Sequence, residues 1–300
     1  MFLIHYRHIT YIISGTLVLL SLIAVGIWGL KLGVDFTGGS LLEIEFASSR
    51  PEKSEIGRVM DAGGVAYTSI QPTGERGVLI RTESLSESAH QFLLASLRGK
   101  LSGGGITEKQ FTSIGPIIGK ELARKSVYAI GLVIFLIVLY IAWAFRKVSE
   151  PVASWKYGIA TVIALVHDVA IPIGFFAVLG HFAGIEVDTL FVTALLTILG
   201  FSVHDTIVVF DRIRENLTRA KGRKDFEIIV GESISQTMTR SINTSMTVLL
   251  VLLAIFIFGG ASIKYFSLAL LIGIFFGTYS SICLASPVLV TWQKFREKNK

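Results

Sequence analysis

Six apolar runs constrain this chain more than any other feature. Ile9 to Leu30, Ser126 to Phe145, Ser241 to Ala261 and Tyr265 to Trp292 carry no charge, and Tyr157 to Leu179 and Thr189 to Phe210 carry none except Asp168 and Asp205. A hydrocarbon core roughly 30 Å thick is crossed by about 20 helical residues, so each run is long enough to span a bilayer. A 300-residue chain that is 52% hydrophobic, with six prolines, is not composed like a soluble domain. The last run exceeds the length a span needs and is expected to tilt or bend near Pro287.

The expected fold is therefore a polytopic α-helical membrane protein with six transmembrane helices. Residues 1–32 form the N-terminus and first span, and the other five spans fall at about 126–146, 157–180, 188–210, 240–261 and 264–292, within a bundle over 123–293. Residues 294–300 form a tail. Trp28 and Lys31 do not suit a signal-peptide cleavage site, so the first run is expected to be a retained span. Arg146, Lys147 and Lys156 follow span two, and Arg212, Arg214, Arg219, Lys221, Arg223 and Lys224 follow span four. The tail adds Lys294, Arg296, Lys298 and Lys300, whereas residues 181–188 have no Lys or Arg and Lys264 is alone between spans five and six. The positive-inside rule then puts both termini in the cytoplasm and accounts for the net charge of +6 without nucleic acid.

Residues 33–122 are then a small extracytoplasmic domain. Leu42, Ile44 and Phe46 alternate with Glu43 and Glu45 in a strand over 41–46, and a helix follows from about Lys53 to Ala62, ended by Gly63-Gly64. Strands are expected over 66–71 and 78–82, joined by a Pro72-Thr73-Gly74 turn, then a helix capped by Ser86 and running to about Leu101. A break at Ser102 to Gly105 precedes a last strand over 108–114. The order βαββαβ is the ferredoxin-like arrangement.

Asp205 is the leading candidate functional residue. An ionisable side chain at membrane depth costs about 2.5 kcal/mol or more and marks a site of function unless a neighbouring helix simply hydrogen-bonds it. It lies about 8 Å inside the end of its run at 1.5 Å per residue, with Asp168 near the middle of the preceding span and offset by roughly 6 to 8 Å. Each follows a histidine, His167 and His204, which offers either a proton relay or a packing partner; adjacent helical residues point about 100° apart, so His and Asp should not share one groove equally. Arg240 opens span five near the depth of Asp205, either snorkelling or acting as its ion partner. A nearby cation favours the charged carboxylate and burial alone the neutral one, so a carboxylate moving between the two situations would load and release a proton.

Asp211, Arg212, Arg214 and Glu215 read as a solvated helical continuation, or as a coupling contact. The glycines of Gly33-Val34-Asp35-Phe36-Thr37-Gly38-Gly39-Ser40 suit a joint between span and domain, in a spacing that is not a phosphate loop. Gly259-Gly260 reads as a turn between spans five and six, or a moving interface. No metal-ligand cluster, nucleophile motif or nucleotide motif is present, and the single Cys283 excludes an intrachain disulfide.

The segment Gly33 to Ser40, the His167-Asp168 pair and the run His204-Asp205-Thr206-Ile207-Val208-Val209-Phe210-Asp211-Arg212-Ile213-Arg214-Glu215-Asn216 together resemble the SecD/SecF family of bacterial protein export, in its smaller, SecF-type form. That resemblance implies a resistance-nodulation-division type base, pseudo-symmetric pairing with SecD, association with the SecYEG channel and YajC and indirectly SecA, and exported preproteins as the cargo. It implies no enzyme activity, no cofactor, protons as the coupling ion, and Asp205, Arg240 and Asp168 as the proton pathway, with most substrate contact left to SecD. Asp35, Gly38, Gly39, Asp211, Arg212 and Arg214 belong to its structural and coupling motifs. A stand-alone proton-coupled exporter of small molecules or lipids is the alternative of like architecture. An intramembrane aspartyl protease is disfavoured, because its two carboxylates share a proton at about 3 Å and Gly200 is too far from Asp205 for the usual Gly-x-Gly-Asp.

Overall fold

The structure is a computed structural model that describes residues 2–101, 105–145, 153–220 and 223–298. In chain order its elements are α1 (Phe2–His5), α2 (Arg7–Trp28), α3 (Val34–Thr37), β1 (Gly39–Phe46), α4 (Lys53–Ala62), β2 (Tyr67–Thr73), β3 (Gly77–Thr82), α5 (Glu87–Lys100), β4 (Ile106–Ile114), α6 (Pro116–Ala144), α7 (Ser154–Ala183), α8 (Thr189–Ala220), α9 (Phe226–Phe258), α10 (Ala261–Ser280), a π-helical turn (Ser281–Ala285) and α11 (Ser286–Lys298). Two compact units result, Leu32–Val127 and the remainder, with the division falling inside α6. Arg146, Lys147, Lys221, Lys300 and most of the expected break at 102–105 lie outside the described residues.

Leu32–Val127 is built on a four-stranded antiparallel sheet in the order β2-β3-β1-β4. With α4 and α5 in the crossovers, this is the split βαβ arrangement. The period-two pattern of β1 puts Leu42, Ile44 and Phe46 into the core, where they meet Ile56 and Met60 of α4 and Leu93 and Leu97 of α5. Ser86 caps α5 by accepting from the Ala89 amide at 3.3 Å. The β2–β3 turn lies at residues 74–76 rather than at Pro72-Thr73-Gly74, since Pro72 and Thr73 pair with Val78 and Gly77. The left-handed turn is centred where glycine permits it, at Gly74 with φ of 57°.

The Gly38-Gly39 pair answers a steric demand. Both residues have positive φ, 80° and 123°. A Cβ on Gly38 would stand 2.7 Å from the Pro116 Cα, and one on Gly39 2.8 Å from the Thr82 carbonyl oxygen. The chain can therefore turn from α3 into β1 only where no side chain exists.

Among the described residues six helices are long and apolar enough to cross a membrane, the sixth being continuous through α10, the π-turn and α11. They outrun the uncharged stretches, α8 by reaching Ala220 and α9 by starting at Phe226. Hydropathy marks where a helix is apolar, whereas its backbone bonding continues into charged sequence. Helices α7, α8 and α10–α11 form the buried layer, and α2, α6 and α9 present far more of their surface outward. Small residues set the contacts: a Cβ on Gly174 would lie 2.4 Å from the Ser21 Cα, and one on Gly273 2.1 Å from the Ile198 side chain. Without a hydrophobic drive between helices in lipid, such close backbone approach supplies the packing.

Candidate functional site

On α8 the buried positions include Ile198, Ser202, Asp205, Thr206, Val209 and Ile213, a helical stripe facing the other inner helices. Asp205 falls on that stripe. His204, one residue and about 100° away, is exposed. Asp205 is 7% accessible, and its two oxygens accept from Ser241 Oγ of α9 at 2.5 Å and Ser281 Oγ of the π-turn at 2.7 Å. No ion pair reaches it among the described residues.

Asp168 on α7 is fully buried. Its Oδ2 accepts from Ser202 Oγ at 2.5 Å and Ser280 Oγ at 2.7 Å, and Oδ1 lies 2.8 Å from His167 Nδ1. The expectation that neighbouring His and Asp avoid one groove fails here. Backbone directions 100° apart still let two flexible side chains bend together when both are enclosed, and His167 is only 2% accessible. The ring also stacks on Tyr279, with centroids 6.0 Å apart. For the Nδ1 proton to point at the carboxylate, the neutral ring must keep its bare Nε2, and that atom is buried without a hydrogen-bond partner.

The two carboxylates do not bond each other. They are served by consecutive hydroxyls, Ser280 for Asp168 and Ser281 for Asp205. Near Pro287, where a tilt or bend is expected, the helix carries this π-turn. Proline lacks an N–H and its ring crowds the carbonyl four residues back, so the helix entering Pro287 cannot keep simple α bonding. It widens instead, and Ser286 Oγ donates to the Ser281 carbonyl at 3.2 Å. Wide turns of this kind recur at functional sites.

Arg240 is exposed and pairs with no carboxylate among the described residues, although its neighbour Ser241 bonds Asp205. It belongs to an outward polar face of α9 that also carries Thr239, Asn243, Thr244 and Thr247. The ion pair between Arg240 and Asp205 weighed from sequence is thus not formed, because on α9 it is Ser241 that faces Asp205 while Arg240 is exposed.

At the far end of α8, Arg214 pairs with Asp211 at 2.8 Å and Arg219 with Glu215 at 2.6 Å. Arg212 bonds Glu215 at 2.5 Å and Gln236 at 2.6 Å, while Asn216 donates to the same Gln236 oxygen at 2.9 Å and to Ser233 at 2.9 Å. Arg212 and Asn216 therefore tie α8 to α9, while the ion pairs stay within α8. Asp35 is half-buried in α3, beside the Gly38-Gly39 turn. Among the described residues no three His, Cys, Asp or Glu side chains gather as a metal-binding group.

The hydroxyls of Ser202, Ser241, Ser280 and Ser281 were not singled out by sequence reasoning. A signal was present: Gly273, Gly277 and Ser281 repeat at four-residue spacing in an apolar run, marking the face of α10 that approaches α8.

Residues 98–295 match the family described as protein export membrane protein SecD/SecF, C-terminal, and residues 24–49 match the SecD/SecF GG motif. A protein of Thermobaculum terrenum described as protein translocase subunit SecF is 45% identical, over 97% of this chain and 93% of its own. One of Anaerolinea thermophila with the same description is 40% identical, over 98% and 94%. The crystal structure of SecDF, a translocon-associated membrane protein from Thermus thermophilus, superposes with a TM-score of 0.79 at 32% identity; it is covered over 96% of this chain but only 38% of that one. A second, described as the super-membrane-facing form, gives 0.66 at 33% identity, over 97% and 39%.

Proposed function

Since this chain belongs to the SecD/SecF family of protein-export membrane proteins as a SecF-type subunit, we propose that it uses the proton-motive force to assist export of preproteins through the SecYEG channel. The single observation that carries this reading is Asp205, buried on a helix apolar enough to cross a membrane and hydrogen-bonded by two serine hydroxyls, with no ion pair reaching it among the described residues. A carboxylate so placed is tolerable in either charge state: two donors support the ionised form, and the apolar bundle supports the neutral one. Asp168 is the second carboxyl of the same bundle, and protons are the coupling ion. His167 bonds Asp168, which supports reading it as the relay for that carboxyl's proton, whereas His204 is exposed.

The outward face of α9 with Arg240 is the side on which SecD would supply the other half of the base. A guanidinium exposed to hydrocarbon is costly, and a carboxylate from the partner would offset that cost. Residues 33–122 would lie outside the inner membrane with both termini in the cytoplasm, YajC and SecA acting through the same assembly. The role is mechanical rather than enzymatic. One charge moved through 100 mV yields about 2.3 kcal/mol, enough to bias a domain rearrangement of a few kcal/mol, though not to drag a long polypeptide by itself.

The test is Asp205→Asn in vesicles reconstituted with SecD and the channel. Assembly should persist while the stimulation of export by a proton gradient disappears. Undiminished stimulation overturns the proposed role of this carboxyl.

A further inference from the structure

Ser280 and Ser281 each have two kinds of acceptor within reach. Ser280 Oγ lies 2.7 Å from Asp168 Oδ2 and 3.0 Å from the Gly277 carbonyl oxygen. Ser281 Oγ lies 2.7 Å from Asp205 Oδ2 and 3.1 Å from that same Gly277 oxygen. A hydroxyl has one proton to give, so Ser280 chooses between a carboxylate and the Gly277 carbonyl, and Ser281 between a carboxylate, that shared carbonyl and the Thr278 carbonyl, also at 3.1 Å. Gly277 itself cannot be larger without crowding: a Cβ there would stand 3.2 Å from the Ser202 Cβ and 3.7 Å from Asp168 Oδ2.

We propose that Ser281 is a positioning residue for the proton carried by Asp205, and that Ser280, Ser281 and the Gly277 carbonyl link the protonation of Asp205 to that of Asp168. This rests on the proton-coupled reading above. With Asp205 ionised, Ser281 donates to its Oδ2. When Asp205 takes up a proton it becomes the donor, Ser281 accepts that hydrogen bond, and the serine's own proton turns to Gly277. One proton has arrived on the carboxyl and the serine has lost none. Ser280 makes the same turn at Asp168, and because both turned hydroxyls meet on one oxygen, the state of each carboxyl is felt at the other. Ser280 closes α10 and Ser281 opens the π-turn, so consecutive residues reach carboxylates on two different helices, α7 and α8.

The titratable and charged groups on the elements packed around Asp205 are Asp168 and His167 on α7, Arg240 on α9, Tyr279 on α10 and Cys283 on the π-turn; His204 lies on α8 itself, and the α11 cation Lys294 is engaged by Glu227. None of them hydrogen-bonds Asp205, so its immediate partners are the two serines.

The experiment uses the reconstituted complex and three variants: Ser281→Ala, Ser281→Thr and Ser280→Ala. Loss of a hydrogen bond to a charged group is worth about one pH unit or more. The pH profile of gradient-driven export should move to higher pH by about one unit in Ser281→Ala, and stay in place in Ser281→Thr, which keeps the hydroxyl. Ser280→Ala, which removes a donor from Asp168 and none from Asp205, should move the same profile. Infrared difference spectra supply a readout independent of export: the carboxyl band that Asp205→Asn removes should shift in Ser281→Ala and not in Ser281→Thr. An unmoved profile and band in assembled Ser281→Ala overturn the positioning role, and an unmoved profile in Ser280→Ala overturns the link. Export that survives Asp205→Asn would instead remove the proton-coupled reading beneath both.

Discussion

Single residues show how a side chain's role depends on the one next to it. Asp205 and His204 are neighbours, yet one is buried and the other exposed, while His167 and Asp168 are enclosed together. The sequence marks all four by their chemistry in apolar runs; it does not distinguish the two pairs, because burial of an adjacent residue depends on what packs against it. Gly38 and Gly39 are a different case, in which backbone geometry decides. Gly38→Ala would force a Cβ to within 2.7 Å of the Pro116 backbone at a φ of 80°. Strain at such positions costs on the order of 1–3 kcal/mol. Faster amide exchange in β1 and β4 of the full chain in detergent is the expected outcome, and unchanged exchange would show that the turn absorbs the methyl group.

At the scale of the element, β1 carries two acids with opposite behaviour. Lys109, hydrogen-bonded to Glu45 at 2.6 Å with Arg76 also nearby, holds the Glu45 carboxyl below the usual range. Burial pushes the Glu43 carboxyl up, against the pull of Lys109. For Glu45 the folded state prefers the ionised form, so its contribution is present above the unfolded value of about 4.3 and is lost as pH falls through the lower folded value. Glu43 runs the other way: folding pays to keep it charged at neutral pH, and that cost is relieved as pH falls through its raised folded value. Glu43→Gln should therefore slow exchange of β1 amides at pH 7, and Glu45→Gln should speed it, with both differences shrinking at low pH. Equal effects at neutral and acid pH would contradict this assignment. The helices teach a related lesson. The expected runs overlap the six long apolar helices, but the helices extend past them into charged sequence, where Arg212, Asn216 and Gln236 hold α8 to α9. Hydropathy is silent about such polar contacts, and the turn of β2 into β3 was misplaced because Pro72 can occupy a sheet edge.

For the molecule as a whole, the membrane-spanning helices bury a polar centre and expose a polar face. Thr239, Arg240, Asn243, Thr244 and Thr247 lie on one side of α9, outward. If SecD covers that side, a cysteine introduced by Asn243→Cys should react with a maleimide in the isolated chain and be protected in the complex. Equal labelling in both would place the partner elsewhere.

The sequence alone determined that six helices cross a membrane, that a βαββαβ insertion follows the first, and that acids in the third and fourth spans need an explanation. Those are local facts: run length, alternation and the cost of charge in hydrocarbon act wherever the residues stand. Which groups satisfy the acids was decided only in three dimensions. Ser241, Ser280 and Ser281 are ordinary small residues in apolar runs until the π-turn before Pro287 and the close contact at Gly273 bring their hydroxyls to the carboxylates, and no window of sequence contains partners 36, 76 and 112 residues distant from the acids they serve.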